Sequence, residues 1–218
     1  MEKSKGLEPF CAECGCAGVV LAAGRSSRMG RPKMLLPLRG QTLLGRVLGA
    51  ALESRLNPVV LVVGYEAERI LDSLGGVKSH RKLRIVENRD FADGMSTSLV
   101  CGLREVEKEC GAVMVLLGDM PFVSAGLVDH LLKRTAESGL PLGAVVVRGR
   151  RSLPVVIRRE LYDEVKELTG DAGARGLFSS HPDRVCLVEP PEDYDDTDID
   201  TPEDFERLRR AVDKTPPS

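Results

Sequence analysis

The chain has 218 residues, with 31 Lys and Arg against 33 Asp and Glu, for a formal net charge of −2. That length supports a full core without staples, and the charge balance excludes the global basic field of a nucleic-acid or membrane-surface binder. With 42% hydrophobic residues, 4% aromatics and no Trp, a folded protein with an aliphatic core is expected. No apolar run approaches the ~18 residues that cross a bilayer, and Met1–Pro9 is too polar for a secretory signal, which predicts a cytoplasmic protein.

Residues 1–16 read as an N-terminal extension carrying Cys11, Cys14 and Cys16 as C-x-x-C-x-C. Three thiolates supply most of a zinc or iron–sulfur shell, yet no fourth ligand lies nearby, so a reduced peripheral segment is the plainer reading. Cys101, Cys110 and Cys186 sit in apolar or helical stretches, as core-filling thiols do.

Gly18–Ala22 is a short aliphatic run, followed by a Gly/Ser/Arg/Pro segment to Gly40. Thr42 to Arg55 places Leu43, Leu44, Val47, Leu48, Ala51 and Leu52 at helical spacing. Pro58–Val63 reads as a strand buried on both faces, Glu66–Leu74 as a short helix and Leu83–Glu87 as a strand. Ser96–Glu109 carries Leu99, Leu103 and Val106 on one stripe, and Ala112–Leu117 is the most apolar strand. Ser124 caps a helix whose Leu127, Val128, Leu131 and Leu132 face inward, and Leu142–Val147 is a further strand.

Alternation at this spacing predicts an α/β fold with a parallel sheet and helices on both faces, forming one domain. Past Gly149 the pattern loosens: Leu153–Ile157 and Arg184–Glu189 are expected strands and Arg159–Leu168 a helix. This last third is expected to form a side wall or lid. Thr201-Pro-Glu-Asp204 is a helix-start signature. Ligands of such sheets gather at the carboxyl ends of strands, so the loops after Ala22, Glu87 and Leu117 matter most.

The first of these, Leu21-Ala-Ala-Gly-Arg-Ser-Ser-Arg-Met-Gly-Arg-Pro-Lys33, is a loop of small residues with Arg25, Arg28, Arg31 and Lys33. Small residues bring backbone N–H groups close to an anion and the cations neutralise it, which describes a polyphosphate cradle. No G-K-[ST] closes it and no G-x-G-x-x-G is present. In Leu116-Leu-Gly-Asp-Met-Pro121 a carboxylate, Asp119, follows a buried strand, where a divalent cation is the natural compensation. Asp198 and Asp200 alternate about Ile199 and so share one face of an extended chain, suited to a second carboxylate for that cation. Asn88 and Ser96 are placed to hydrogen-bond a base or ribose, although turn chemistry explains them equally well. His80, His130 and His181 have no partner spacing.

Four ordered motifs, L-A-A-G-R-S-S-R-M-G-R-P-K, E-N-R-D-F-A-D-G-M-S-T-S-L, L-L-G-D-M-P and D-I-D-T-P-E-D-F, resemble those of the MobA-like nucleotidyltransferase family, above all its molybdenum cofactor cytidylyltransferases. The resemblance runs from Val19 to Leu208 and implies an α/β, glycosyltransferase-A-like (Rossmann-like) three-layer fold with a mostly parallel sheet over residues 17–213, with 214–218 a tail. It further implies that Leu21, Ala22, Ala23, Gly24, Ser26, Asn88, Ser96 and Gly118 bind the nucleotide. Arg25 and Lys33 would hold its phosphates, and Asp119, with Asp198 or Asp200, would bind Mg2+. Gly170-Asp-Ala-Gly-Ala-Arg175 is similar to a G-D-x-G-A-R of the cytidylyl branch, placing Asp171 and Arg175 on the acceptor side. That branch commonly has G-H-P where this chain reads Ser152-Leu-Pro154, so no imidazole is available there.

The implied reaction moves CMP from CTP to the terminal phosphate of a molybdopterin-type pterin, for delivery to a molybdenum hydroxylase, with no nucleic-acid or membrane partner. Alternatives are a GTP-using sibling, a transferase for another phosphate acceptor, and a non-catalytic nucleotide-binding accessory protein.

Overall fold

The structure, a computed structural model, describes residues 15–25, 29–30, 32–197, 199 and 201–214. In chain order the elements are β1 (Cys16–Ala22), a small ribbon of β2 (Pro37–Leu38) and β3 (Gln41–Thr42), α1 (Leu43–Glu53), β4 (Val59–Val63) and α2 (Ala67–Ser73). Then come β5 (Leu83–Glu87), α3 (Met95–Arg104), β6 (Ala112–Leu117), α4 (Ala125–Ser138), β7 (Leu142–Val147) and β8 (Arg150–Arg158). The chain ends with α5 (Tyr162–Lys166), α6 (Arg175–Ser180), β9 (Val185–Val188) and α7 (Pro202–Lys214).

The main sheet has seven strands in the order β5-β4-β1-β6-β8-β7-β9. From β5 to β6 all pairings are parallel, and β7 pairs with β9 in parallel; β8 alone runs antiparallel to both neighbours. Alternation along β1 feeds two cores. Val20 and Ala22 join Leu44, Val47, Leu48, Leu127 and Leu131 of α1 and α4. Val19 and Leu21 join Leu99, Leu103, Val165, Leu177 and Phe178 of α3, α5 and α6. Helices on both faces of the sheet agree with the alternation, and the mostly parallel pairing agrees with what the resemblance implies. Thr42 and Ser124 cap α1 and α4 through Gly45 N–H at 3.0 Å and Leu127 N–H at 3.1 Å.

Three expectations are corrected. First, the segment after Gly149 is no mere wall or lid: β8 is hydrogen-bonded between β6 and β7, inside the sheet. The turn at Arg148 and Gly149 has positive φ at both residues, 52° and 73°, the geometry that joins adjacent antiparallel strands in two residues. Polar Arg150, Arg151 and Ser152 precede the buried Val155, Val156 and Ile157, which hides the strand's full length from a hydrophobicity pattern. Second, the expected helices over 96–109 and 159–168 are shorter, α3 stopping at Arg104 and α5 occupying Tyr162–Lys166. Third, Cys16 belongs to β1, not to an extension: it is buried, and desolvation pushes its thiol well up, opposing the thiolate that metal ligation needs. Cys11 and Cys14 lie outside the described residues.

α3 packs so tightly on β1 and β4 that a Cβ at Gly102 would lie 2.5 Å from Val19 Cγ1 and 2.9 Å from Val62 Cγ2. Gly102→Ala is therefore expected to lower unfolding free energy by about 1–3 kcal/mol through overpacking. Urea denaturation measures this; an unchanged midpoint would show that the helix can shift away without loss.

Candidate active site

β1 and β6 end side by side, with Leu21 paired to Leu117. The Gly118 N–H donates to the Leu21 carbonyl at 3.0 Å, closing the strand exits together. A Cβ at Gly118 would stand 2.9 Å from Met34 Sδ and 3.0 Å from Leu44 Cδ1, so glycine lets the loops after both strands meet.

Asp119 follows, only 4% exposed. Its Oδ2 lies 2.5 Å from Lys33 Nζ, an ion pair that draws the basic loop onto the end of β6. Its Oδ1 is buried and has no hydrogen-bond partner. Leaving such an acceptor unmet costs roughly 1–3 kcal/mol or more. A hard divalent cation satisfies it, and magnesium characteristically takes one or two carboxylates beside phosphate oxygens and water. The residues present therefore fit the metal. Asp198 and Asp200 lie outside the described residues, and among the described residues no group of three His, Cys, Asp or Glu gathers.

Around this carboxylate the phosphate loop begins with buried Ala22 and Ala23, then exposed Gly24, whose Cβ position meets nothing within 4 Å. Among the described residues nothing crowds the backbone there, as a cradle requires. Arg25 is exposed, and its guanidinium sits 5.4 Å from the centroid of the Phe91 ring, which itself meets Tyr65 edge-on at 6.3 Å. Gly64 permits this stack: a Cβ there would fall 2.8 Å from Ala23 Cβ and 2.9 Å from Phe91 Cβ. Sequence reasoning missed Phe91; its signal is the lone aromatic in Asp90-Phe-Ala-Asp-Gly94. Ser26, Arg28 and Arg31 lie outside the described residues.

Asn88 is close to this end of the sheet, and its amide is engaged in hydrogen bonds within the chain. Asn88 Nδ2 donates to Thr97 Oγ1 and Ser98 Oγ, both at 2.9 Å, and its Oδ1 accepts from the Asp90 N–H at 3.0 Å. Its amide clasps the exit of β5 to α3. Ser96 is fully buried, and its Oγ has no partner.

On the other side of Leu21 and Leu117 lies a cavity of ≈ 430 Å³. Its floor includes Leu21, Leu117, Leu153 and Val155, and Arg150, Arg151 and Arg175 stand among its lining. Leu153 reaches it because the β7–β8 pairing jumps from Val155 to Ser152, a bulge that holds Leu153 and Pro154. Asp171 is exposed on the turn Gly170–Ala172, which docks on the start of α3. That contact needs bare backbone, since a Cβ at Gly94 (φ 111°) would lie 2.4 Å from the Gly170 carbonyl carbon.

A polyphosphate-type loop, a buried carboxylate with an open oxygen and an adjoining cavity, all at strand ends of a mostly parallel sheet, define a nucleotidyltransferase. The chain belongs to the MobA-like NTP transferase family, whose domain model matches residues 18–185. It is 32% identical to the purine catabolism protein PucB of Bacillus subtilis over 203 residues, covering 89% of this chain and 96% of PucB. It is 33% identical to nicotine blue oxidoreductase of Paenarthrobacter nicotinovorans over 201 residues, covering 88% and 95%. Among solved structures, Rv0371c of Mycobacterium tuberculosis superposes with a TM-score of 0.79 at 26% identity, covering 91% of this chain and 99% of that one; it has also been solved with manganese. A nucleotidyl transferase from Methanothermobacter superposes with a TM-score of 0.76 at 26% identity, covering 93% and 99%. No helix among the described residues is long and apolar enough to cross a membrane.

Phe91→Leu keeps apolar bulk and removes the ring face beneath Arg25. A stack of this kind contributes ~0.5–1 kcal/mol at an exposed site, so the KM for the nucleoside triphosphate is expected to rise about two- to fivefold with kcat nearly unchanged. Steady-state kinetics decides it, and an unaltered KM would mean the stack does nothing for the nucleotide.

Proposed function

We propose that this protein transfers CMP from CTP to the terminal phosphate of a molybdopterin-type pterin and releases pyrophosphate, in the cytoplasm, for a molybdenum hydroxylase. The observation that carries the chemistry is Asp119, buried at the end of β6 with one oxygen on Lys33 and the other unmet. The choice of cytosine rests on the Ala22-Ala-Gly24 form of the loop and on Gly170-Asp-Ala-Gly-Ala-Arg175, which resemble the cytidylyl branch. The cavity beside Leu117 supports the acceptor: an apolar floor suits a flat ring system and its arginines suit a phosphate. Where the branch commonly has an imidazole, Leu153 lines this cavity, so the acceptor meets an aliphatic surface there.

The mechanism is one of charge and placement. An acceptor phosphate oxygen forms a bond to the α-phosphorus as the bond from that phosphorus to the bridging oxygen breaks, and the electron pair leaves with pyrophosphate. The attacking oxygen is already ionised near neutral pH, so no strong base is needed, in keeping with histidines that have no role here. The barrier lies in bringing two polyanions together: unit like charges ~4 Å apart repel by roughly 4 kcal/mol at an effective dielectric near 20. Lys33 and Arg25 hold and neutralise the triphosphate, and the Phe91 face keeps Arg25 over the loop. Magnesium, held by Asp119 with Asp198 or Asp200, would supply further positive charge for the departing pyrophosphate.

Purified protein incubated with magnesium, a phosphorylated pterin and either CTP or GTP tests the reading through pyrophosphate release. Release with CTP well above that with GTP is expected, and Asp119→Asn should fold normally yet lose on the order of 100-fold or more in rate. Preference for GTP would overturn the choice of base. Near-normal turnover in Asp119→Asn would overturn the site. The name of the second relative supplies a redox alternative, which pyridine-nucleotide-dependent turnover without CTP would favour.

A further inference from the structure

We propose that Asp196 reads the acceptor, its carboxylate receiving two N–H donors from the edge of a planar amino-substituted heterocycle. This rests on the acceptor reading above and names the group that recognises the ring.

Asp196 lies on the chain after β9 and lines the cavity beside Leu117. Its side chain is only 7% exposed. Its recorded ion partner is Arg150, whose Nη2 stands 3.5 Å from Oδ2 and whose own side chain is 68% exposed. That separation exceeds the 2.7–2.9 Å of a charge-assisted hydrogen bond, and an exposed partner compensates a buried charge poorly. Three neighbouring side chains each donate elsewhere. The Tyr194 hydroxyl donates to the Leu153 carbonyl at 3.0 Å, and burial together with nearby Asp196 pushes that phenol well up, so it remains a donor. Thr197 gives both its N–H and its hydroxyl to Asp195. Arg151 gives Nη1 to the Phe178 carbonyl at 2.8 Å and lies over the Phe178 ring.

Asp196 thus lines the cavity with a largely covered side chain whose protein partner approaches only loosely, which leaves its oxygens available to a ligand. Two parallel acceptor oxygens match a pair of adjacent N–H donors, the pattern that a 2-amino-pyrimidinone edge presents. The surroundings fit the same class of ligand: Leu117, Leu153, Val155 and Phe178 form apolar surface for a flat ring, and Arg175 is exposed for an anionic tail. Heterocycle N–H groups would replace the loose approach of Arg150 and free its guanidinium for that tail.

Fluorescence titration with pterin-6-carboxylic acid and lumazine-6-carboxylic acid tests this, because the two differ only in a 2-amino against a 2-oxo group. The wild type is expected to bind the pterin at least tenfold more tightly. Asp196→Asn, with an unshifted melting temperature, should reduce that preference below twofold. Arg150→Ala should weaken both compounds yet keep the preference; if Asp196 merely anchored Arg150, both variants would lose it together. Equal affinities in the wild type, a preserved preference in Asp196→Asn or a lost one in Arg150→Ala would each overturn the inference. Failure of both compounds to bind a protein that binds CTP would overturn it too, leaving the nucleotide chemistry standing. Failure to bind CTP at all would instead strike the reading on which it rests.

Discussion

One buried carboxylate organises this molecule. Asp119 ends the most apolar strand, where desolvation opposes its charge, and the fold answers with a lysine delivered from a different strand exit. That ion pair does more than neutralise. It fixes where the basic loop after β1 can lie, and so sets the direction from which a triphosphate can approach. The second oxygen is left without a partner, and it is this open acceptor that suits a cation. Stability is held below its attainable level at this point, as is common where a site must bind something absent from the free protein.

From that centre the sheet divides the labour. Leu21 and Leu117 form a ridge between the two strands that end together. On one side stand the Ala-Ala-Gly turn and the stacked Arg25, on the other the arginine-bearing cavity. The phosphate side comes from the parallel part of the sheet. The cavity spans both parts, with Leu21, Leu99, Val115 and Leu117 contributed by β1, α3 and β6, and Arg150, Arg151, Leu153 and Phe178 by β8 and α6.

How much of this was legible in the sequence follows from what each signal depends on. β1, β4 and β6 were readable because strands buried on both faces must be continuously apolar, and the Asp119 and Lys33 positions followed from where those strands stop. β8 is legible only over Leu153–Ile157, because its first residues Arg150, Arg151 and Ser152 are polar and its turn uses Arg148 at positive φ in place of a usual turn residue. Cys16 reads as part of the N-terminal segment because the continuous aliphatic run begins only after it, and its pairing with Ala112 of β6 is what places it in β1. Phe91 meets its partner Arg25, and Asp196 reaches its cavity, only across long stretches of chain, and no local spacing records such encounters. The hydrogen bonds of Asn88 illustrate the opposite case: a residue with two plausible roles, of which the folded chain displays the structural one.

The two-residue connection at Arg148 and Gly149 also gives the chain freedom to vary. Register between β6 and β8 is held by the pairs Val115–Val155 and Val113–Ile157, well away from that bend. Residues added or removed at the bend would remodel the rim nearest Arg150 while the metal-facing strand kept its place. A lineage could thus retune which molecule it modifies by editing one hairpin tip and leave its nucleotide machinery untouched.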